Sequence, residues 1–300
     1  MQSYVDSTPI AADREALRAR LRTDGYLFFR RLVPAEDVLA VRERVLAALD
    51  ISGWLAPGVP AGAAIPGPVV RNEGADDFWD GYRNVQREQD FHRLAHAPTL
   101  LAMLRRLVAD DLLVHPRKIS RFSFPCSGFT TPPHQDFRYI QGTTDVFTVW
   151  MPLAACPPEL GGLRVLAGSQ TRGLLPTHAA AGAGGLAVDV PDDDVDWASI
   201  DYQPGDALVF HSLTVHAALP NVSDRLRLSV DYRYQSAARP LTQGSLHPHF
   251  HPRIPDWDEL TRGWASLDPI AAPDGLELVG FDPPAGALVP GPSEFVALPA

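Results

Sequence analysis

The sequence predicts a mainly β protein with flanking helices, its strands arranged as a closed or double-sheeted structure, and three observations predict it. From about Leu112 onward, short β runs recur at close spacing and are divided by Pro and Gly. The first hundred residues instead place apolar groups at helical intervals. Across all 300 residues, 45% are hydrophobic and 21% charged, the balance of a chain that buries a full core. One domain spanning 1–300 accommodates all three, with a helical part over about 10–110, a β core over about 112–235 and a Pro-rich lid and tail over 236–300.

In chain order, residues 12–23 and 34–50 read as surface helices, and Val38, Val41, Val45 and Leu49 form one stripe on the second. Between them, Tyr26-Leu27-Phe28-Phe29 follows Gly25 and suits a short buried strand. Residues 54–70 are rich in Gly, Pro and Ala and read as an irregular loop. A helix over 98–109 opens with Pro98 in its first turn and carries Leu100, Leu104, Leu107 and Val108. The β runs follow at 117–124, 134–139, 146–153, 163–166, 206–211, 213–218 and 226–235. Residues 179–201 read as a solvated Ala/Gly loop containing Asp192-Asp193-Asp194, and after 235 only 256–266 suggests a helix. No internal repeat is visible.

Charge and cysteine usage narrow the function classes. Lys and Arg total 26 against 36 Asp and Glu, a formal charge of -10, which removes the usual counterion-release drive for nucleic-acid binding. Cys126 and Cys156 show no CxxC spacing, so neither a disulfide framework nor a zinc ribbon is expected, and a reducing cytoplasm fits best. The first residues lack a basic start followed by an apolar run, and no stretch of ~18 apolar residues occurs, so neither export nor membrane spanning is expected. The glycosylation acceptor Asn221-Val222-Ser223 is then a chance match. The oligomeric state leaves no trace in the sequence.

Three pieces carry chemistry. In Pro133-His134-Gln135-Asp136-Phe137 an imidazole and a carboxylate stand two positions apart, and on an extended backbone such residues share a face. Two His and one carboxylate on one side of an Fe(II) ion leave three positions open for a bidentate co-substrate and O2. Either His211 or His216 supplies the third ligand; His216 is followed by two small alanines, whereas His211 ends an apolar run and suits a wall position. In 225–232, RLRLSVDY, alternation puts Arg227, Ser229, Asp231 and Arg233 on one strand face. Arg offers a planar fork to a carboxylate, and Ser adds a hydroxyl two residues on. An edge strand with its polar side in water reads equally well from the residues alone.

The order HxD, then a distal His, then Arg-x-Ser resembles the Fe(II)/2-oxoglutarate-dependent oxygenases, and within them the phytanoyl-CoA dioxygenase family, over most of 20–235. Asp24-Gly25-Tyr26, Pro132-Pro133-His134-Gln135-Asp136, Val149-Trp150-Met151-Pro152-Leu153 and Gly161-Gly162-Leu163 leading to Gly168-Ser169 carry the likeness. The family's anchoring Arg lies eleven positions after the distal His, which selects His216 and Arg227. The resemblance implies a double-stranded β-helix, or cupin-like jelly roll. It implies Fe(II) on His134, Asp136 and His216, and 2-oxoglutarate held by Arg227 and Ser229 with Thr131 and Trp150 lining its pocket. Two habits of the family are altered: Leu160-Gly161-Gly162 replaces Asn-Gly, and Gly168-Ser169-Gln170 replaces Gly-Ser-His. The basic residue that often precedes HxD is missing, with Arg121 a substitute.

The implied reaction couples conversion of 2-oxoglutarate and O2 to succinate and CO2 with hydroxylation of an unactivated C–H bond in a small, specialised metabolite. The carboxylate of Asp136 stands where related halogenases have a small residue, which disfavours halogenation. Desaturation, epoxidation and ring closure stay open, as does a cupin-like metal-binding protein without turnover. A lid built from 54–90 and the segment after 235 would cover the substrate, with Phe124, Phe137 and Tyr139 near the mouth and Arg138 available to a substrate acid. His247, His249 and His251 alternate in a Pro-containing stretch that reads as an ordinary loop beside its alternative, a Zn or Ni site.

Overall fold

The computed structural model describes residues 1–108, 111–191, 196–281 and 293–296. Five helices, α1 (Arg14–Asp24), α2 (Ala35–Ile51), α3 (Trp79–Gln86), α4 (Gln89–Arg93) and α5 (Pro98–Val108), interleave with β1 (Gln2–Ser3) and β2 (Tyr26–Phe29). Strands β3 (Leu112–Val114), β4 (Ile119–Ser123), β5 (Phe147–Pro152) and β6 (Leu163–Leu166) follow, with the one-turn helix α6 (Phe137–Ile140) between β4 and β5. Next come β7 (Thr177–Ala179), β8 (Leu186–Val188), β9 (Trp197–Ser199), β10 (Ala207–His211), β11 (His216–Ala218) and β12 (Arg227–Ser236). The chain continues through β13 (Leu241–Thr242), α7 (Trp257–Leu260) and β14 (Leu278–Val279).

Local chemistry explains the helices. The Asp13 carboxylate accepts a hydrogen bond from the Ala16 N–H at 3.0 Å and caps α1, and Gly25 ends it at φ 76°. A Cβ at Gly25 would lie 2.2 Å from Gln170 Oε1, so both the backbone angle and the packing demand glycine. The predicted stripe of α2 is buried in full. Helix α3, absent from the sequence expectation, presses Gly81 against the Trp54 indole, where a Cβ would come within 2.3 Å.

Six strands form one sheet in the order β2-β10-β5-β12-β3, with β4 also paired to β12; four form a second, β1-β9-β6-β11. Alternation gives the larger sheet two apolar faces. Leu27, Phe29, Val149, Val209, Val230 and Tyr232 turn toward the helices in the main core. Tyr26, Phe28, Trp150, Leu208 and Phe210 turn the other way and meet Leu163, Val165 and Ala218 of the second sheet. Each such aliphatic or Phe side chain contributes about 1.5–3 kcal/mol by leaving water. The Tyr232 and Tyr234 hydroxyls, buried on the helical side, donate to the carbonyls of Phe91 and Ala95 at 2.6 and 2.8 Å.

The expectations for 26–29, 146–153, 163–166, 206–211 and 226–235 correspond to β2, β5, β6, β10 and β12, while only 119–123 of 117–124 and 216–218 of 213–218 are strand. Residues 134–139 differ: after His134 the chain leaves the β pairing, and the Tyr139 and Ile140 N–H groups donate to the Asp136 carbonyl at 2.9 and 3.1 Å, winding α6. The 256–266 helix stops at Leu260, with Thr261 as its cap. The expected 179–201 loop instead holds the turn and second strand of the β7/β8 hairpin, with Gly182, Gly184 and Gly185 at positive φ, and β9; Asp192-Asp193-Asp194 lies outside the described residues. Among the described residues, no helix is long and apolar enough to cross a membrane.

Candidate metal centre

His134 and His216 meet through their backbones, each N–H donating to the other's carbonyl at 3.0 Å, so the first His is stitched beside the start of β11. Their ring centroids are 4.1 Å apart, and both Nε2 atoms lie 3.7 Å from Asp136 Oδ1. The Nδ1 atoms face the carbonyls of Pro132 and Thr214 at 2.9 and 3.0 Å. A carbonyl only accepts, so each Nδ1 carries a hydrogen, and Nε2 is the ring nitrogen left facing the carboxylate.

His134 and Asp136 of HxD do not meet by extended-strand geometry. Asp136 has φ -60° and ψ -29° at the head of α6, and this turn swings its carboxylate back to the imidazoles. Two residues outside the expected set hold it there: Thr148 Oγ1 donates to Oδ2 at 2.5 Å, and Arg233 Nη2 stands 3.4 Å from Oδ1. Burial alone would raise the Asp136 pKa, but Arg233 and the two histidines hold the carboxyl well below its usual range. Burial, reinforced by neighbouring His134, pushes the His216 pKa down to about 3, so its imidazole is neutral. His211 is elsewhere, with Nε2 against Asp145 at 3.3 Å and Nδ1 accepting from the Leu213 N–H, as befits a wall residue.

On β12 the polar face predicted from alternation points inward. The register sets Asp231 opposite Trp150 and Arg233 opposite Thr148 of β5. Arg227 is buried, its Nη1 donates to Ser229 Oγ at 2.5 Å, and its Nε has no hydrogen-bond partner among the described residues. Thr131 and Trp150 line the same small chamber as Arg227 and the His-Asp-His cluster. Arg225, by contrast, is exposed beside Asp224.

A larger cavity of about 450 Å³ opens on the other side of His134 and Asp136. Both expected lid segments contribute to it, through Glu73 and Trp79 and through His249 and Phe250, and the 182–185 turn adds a third wall. Tyr139 lines it. Phe124 and Phe137 instead are buried side chains, the former against Trp54, and Arg138 donates to the Leu175 carbonyl at 3.0 Å, away from the cavity. Arg121 already faces two carboxylates, Glu73 at 2.8 Å and Asp231 at 3.0 Å. Arg117 has no carboxylate partner among the described residues; burial and the like charge of Arg233 lower its pKa to about 10. Thr148 and Arg117 escape sequence reasoning because neither belongs to a motif, whereas Arg233 is read from alternation as part of the polar face of β12 but without its role at Asp136.

A profile of the family described as phytanoyl-CoA dioxygenase matches residues 21–229. The chain belongs to that family. It is an enzyme that works with iron and 2-oxoglutarate. The 1-deoxypentalenic acid 11-beta-hydroxylase of Streptomyces exfoliatus is 28% identical over 255 residues, covering 79% of this chain and 87% of the relative. Among solved structures, the non-heme monooxygenase ThoJ superposes with a TM-score of 0.55 at 22% identity, over 75% of this chain and 82% of ThoJ. The epimerase SnoN, solved with Fe3+, alpha ketoglutarate and nogalamycin RO, superposes with a TM-score of 0.52 at 24% identity, over 76% and 85%. The sheets and flanking helices are thus those of iron and 2-oxoglutarate oxygenases, and the expected Fe(II)/2-oxoglutarate-dependent hydroxylase agrees with these relatives.

Proposed function

We propose that this chain hydroxylates an unactivated C–H bond of a small carboxylic acid of specialised metabolism, using His134, Asp136 and His216 as iron ligands. The observation that carries the reading is the pair of Nε2 atoms converging on one carboxylate, beside a buried arginine whose Nε has no hydrogen-bond partner among the described residues. Two neutral imidazoles and one carboxylate are the donor set of ferrous oxygenase sites. A dicarboxylate fits Arg227, whose Nε, unpartnered among the described residues, and Ser229-bonded Nη1 offer a fork at the small chamber beside the cluster. Thr131 and Trp150 would border that co-substrate. When bound, iron with 2-oxoglutarate and O2 supplies the oxidation, releasing succinate and CO2 and placing one oxygen in a substrate C–H bond.

The protein's part is positioning. Thr148 and Arg233 fix Asp136, the Pro132 and Thr214 carbonyls fix the imidazole tautomers, and Trp79, Tyr139 and Phe250 help close the cavity above. The cavity volume lies within the range of small-molecule sites, roughly 300–1,000 Å³. A substrate carboxylate suits Arg117, the cavity arginine that no acid among the described residues neutralises, and the Streptomyces relative is itself named for an acid. We read the fold as a double-stranded β-helix, all of 1–300 as one oxygenase domain, and the two unpaired cysteines as suited to the cytoplasm.

The test is incubation with Fe(II), 2-oxoglutarate and a panel of polycyclic carboxylic acids, following succinate release under O2 and product mass. A gain of one oxygen, lost in Arg117→Gln for acids but not for their uncharged amides, is the expected result. A loss of two hydrogens would indicate desaturation or ring closure instead. Binding of iron and 2-oxoglutarate with no succinate across the panel would favour a metal-binding protein without turnover.

A further inference from the structure

We propose that His247, His251 and Asp256 form a second metal site, for Zn(II), on the outer side of the segment whose inner side closes the active-site cavity. The alternating histidines of 247–251 divide between two faces. His249 is turned inward, its Nδ1 2.7 Å from the Tyr82 hydroxyl, and Phe250 packs on Trp79 and Tyr82 at 5.3 and 5.2 Å. His247 and His251 are turned outward and stack, with centroids 4.6 Å apart and planes within 12°. His247 Nδ1 lies 3.4 Å from Asp256 Oδ1, and one ligand atom from each of the three residues falls within 4.8 Å of the others.

Two independent bonds organise the third ligand before any metal arrives. The Trp257 N–H donates to Asp256 Oδ1 at 2.8 Å, and the Trp257 indole N–H donates to the Leu246 carbonyl at 2.7 Å, tying the start of α7 to the start of the histidine segment. Tetrahedral zinc with bonds of about 2.0–2.2 Å needs ligand atoms about 3.3 Å apart. The His247–Asp256 spacing already meets this, and a tilt of the exposed His251 ring brings in the third. The two imidazoles and one carboxylate suit zinc, with water completing the shell because the site faces solvent. A bound ion would pin 247–256 and, through it, the His249 and Phe250 wall of the cavity.

The probe is ZnCl2, applied by equilibrium dialysis to the untagged full chain with metal analysis. Wild type is expected to take up two equivalents, one at His134, Asp136 and His216 and one here. His247→Ala/His251→Ala should keep one, with the lost equivalent weakened at least about ten-fold. His134→Ala/His216→Ala should also keep one, and hydrogen exchange over 247–256 should slow with zinc in that variant but not in the loop variant. Zinc uptake that is the same in wild type and in His247→Ala/His251→Ala overturns the site, whereas a single wild-type equivalent that the loop variant loses supports it and counts only against metal binding at His134, Asp136 and His216. The loop histidines are partly exposed, so the wild-type comparison holds even where the triad variant does not fold.

Discussion

Arg227→Met separates binding from stability at one residue. Arg227 is a buried cation, with one guanidinium bond to Ser229, no partner on Nε and no carboxylate within ion-pair distance among the described residues. Burial lowers its pKa, so the surroundings disfavour the charge that it carries. In the free protein, exchanging such a charge for an apolar chain of similar length is neutral or stabilising by about 1–4 kcal/mol. With the dicarboxylate present, the sign reverses: truncating one partner of a buried charge pair costs about 2–5 kcal/mol, or roughly 30- to 5,000-fold in affinity. The assay is anaerobic titration of 2-oxoglutarate into the Fe(II)-loaded protein by its visible charge-transfer band, beside thermal unfolding of the apoprotein. The expected pair of results is an unchanged or higher Tm, by about 2–4 °C per kcal/mol gained, with binding lost by at least the lower bound. A Tm several degrees lower, with affinity within about threefold of wild type, would show that Arg227 serves packing and refute the assignment.

Thr148→Val removes the hydroxyl that holds Asp136 Oδ2, and iron affinity should fall about 10–100-fold in a chelator competition while the strand stays intact. His115 is buried, and burial, then Arg233, lowers its pKa to about 3 from 6.5. The unfolded chain therefore binds a proton that the folded chain refuses between those values, and stability present above pH 6.5 is lost as pH falls through that window. Urea midpoints at pH 7 and 4.5 should draw closer in His115→Gln, by the equivalent of about 2–3 kcal/mol. Gly25→Ala sets a Cβ against Gln170 at φ 76° and should destabilise by about 1–3 kcal/mol, read as a lowered Tm.

Much of the fold was legible because apolar periodicity is a local property. The α2 stripe, the YLFF strand and the alternation of β12 each follow from side chains that must leave water on one face or both. The segment 134–139 was illegible for the opposite reason. Its apolar and polar pattern suits a strand, yet the backbone winds into α6 because the Gln135 side-chain amide donates to the Gly173 and Leu213 carbonyls, partners 38 and 78 residues away. The 179–201 hairpin was masked by alanines and glycines, whose small side chains show no periodicity, and α3 by its length of eight residues.

Residue type and spacing alone determined the chemistry on offer: two imidazoles, a carboxylate, and an arginine with a serine on one strand face. Only the tertiary structure decided how those groups act together, because charge and tautomer depend on neighbours brought from other elements. It delivered Thr148 and Arg233 to Asp136, set Arg121 against Glu73 and Asp231, turned Arg138 away from the cavity, and left Arg117 without a counter-ion among the described residues. Strand register and long-range pairing set those distances, and neither is written in any local stretch of the chain.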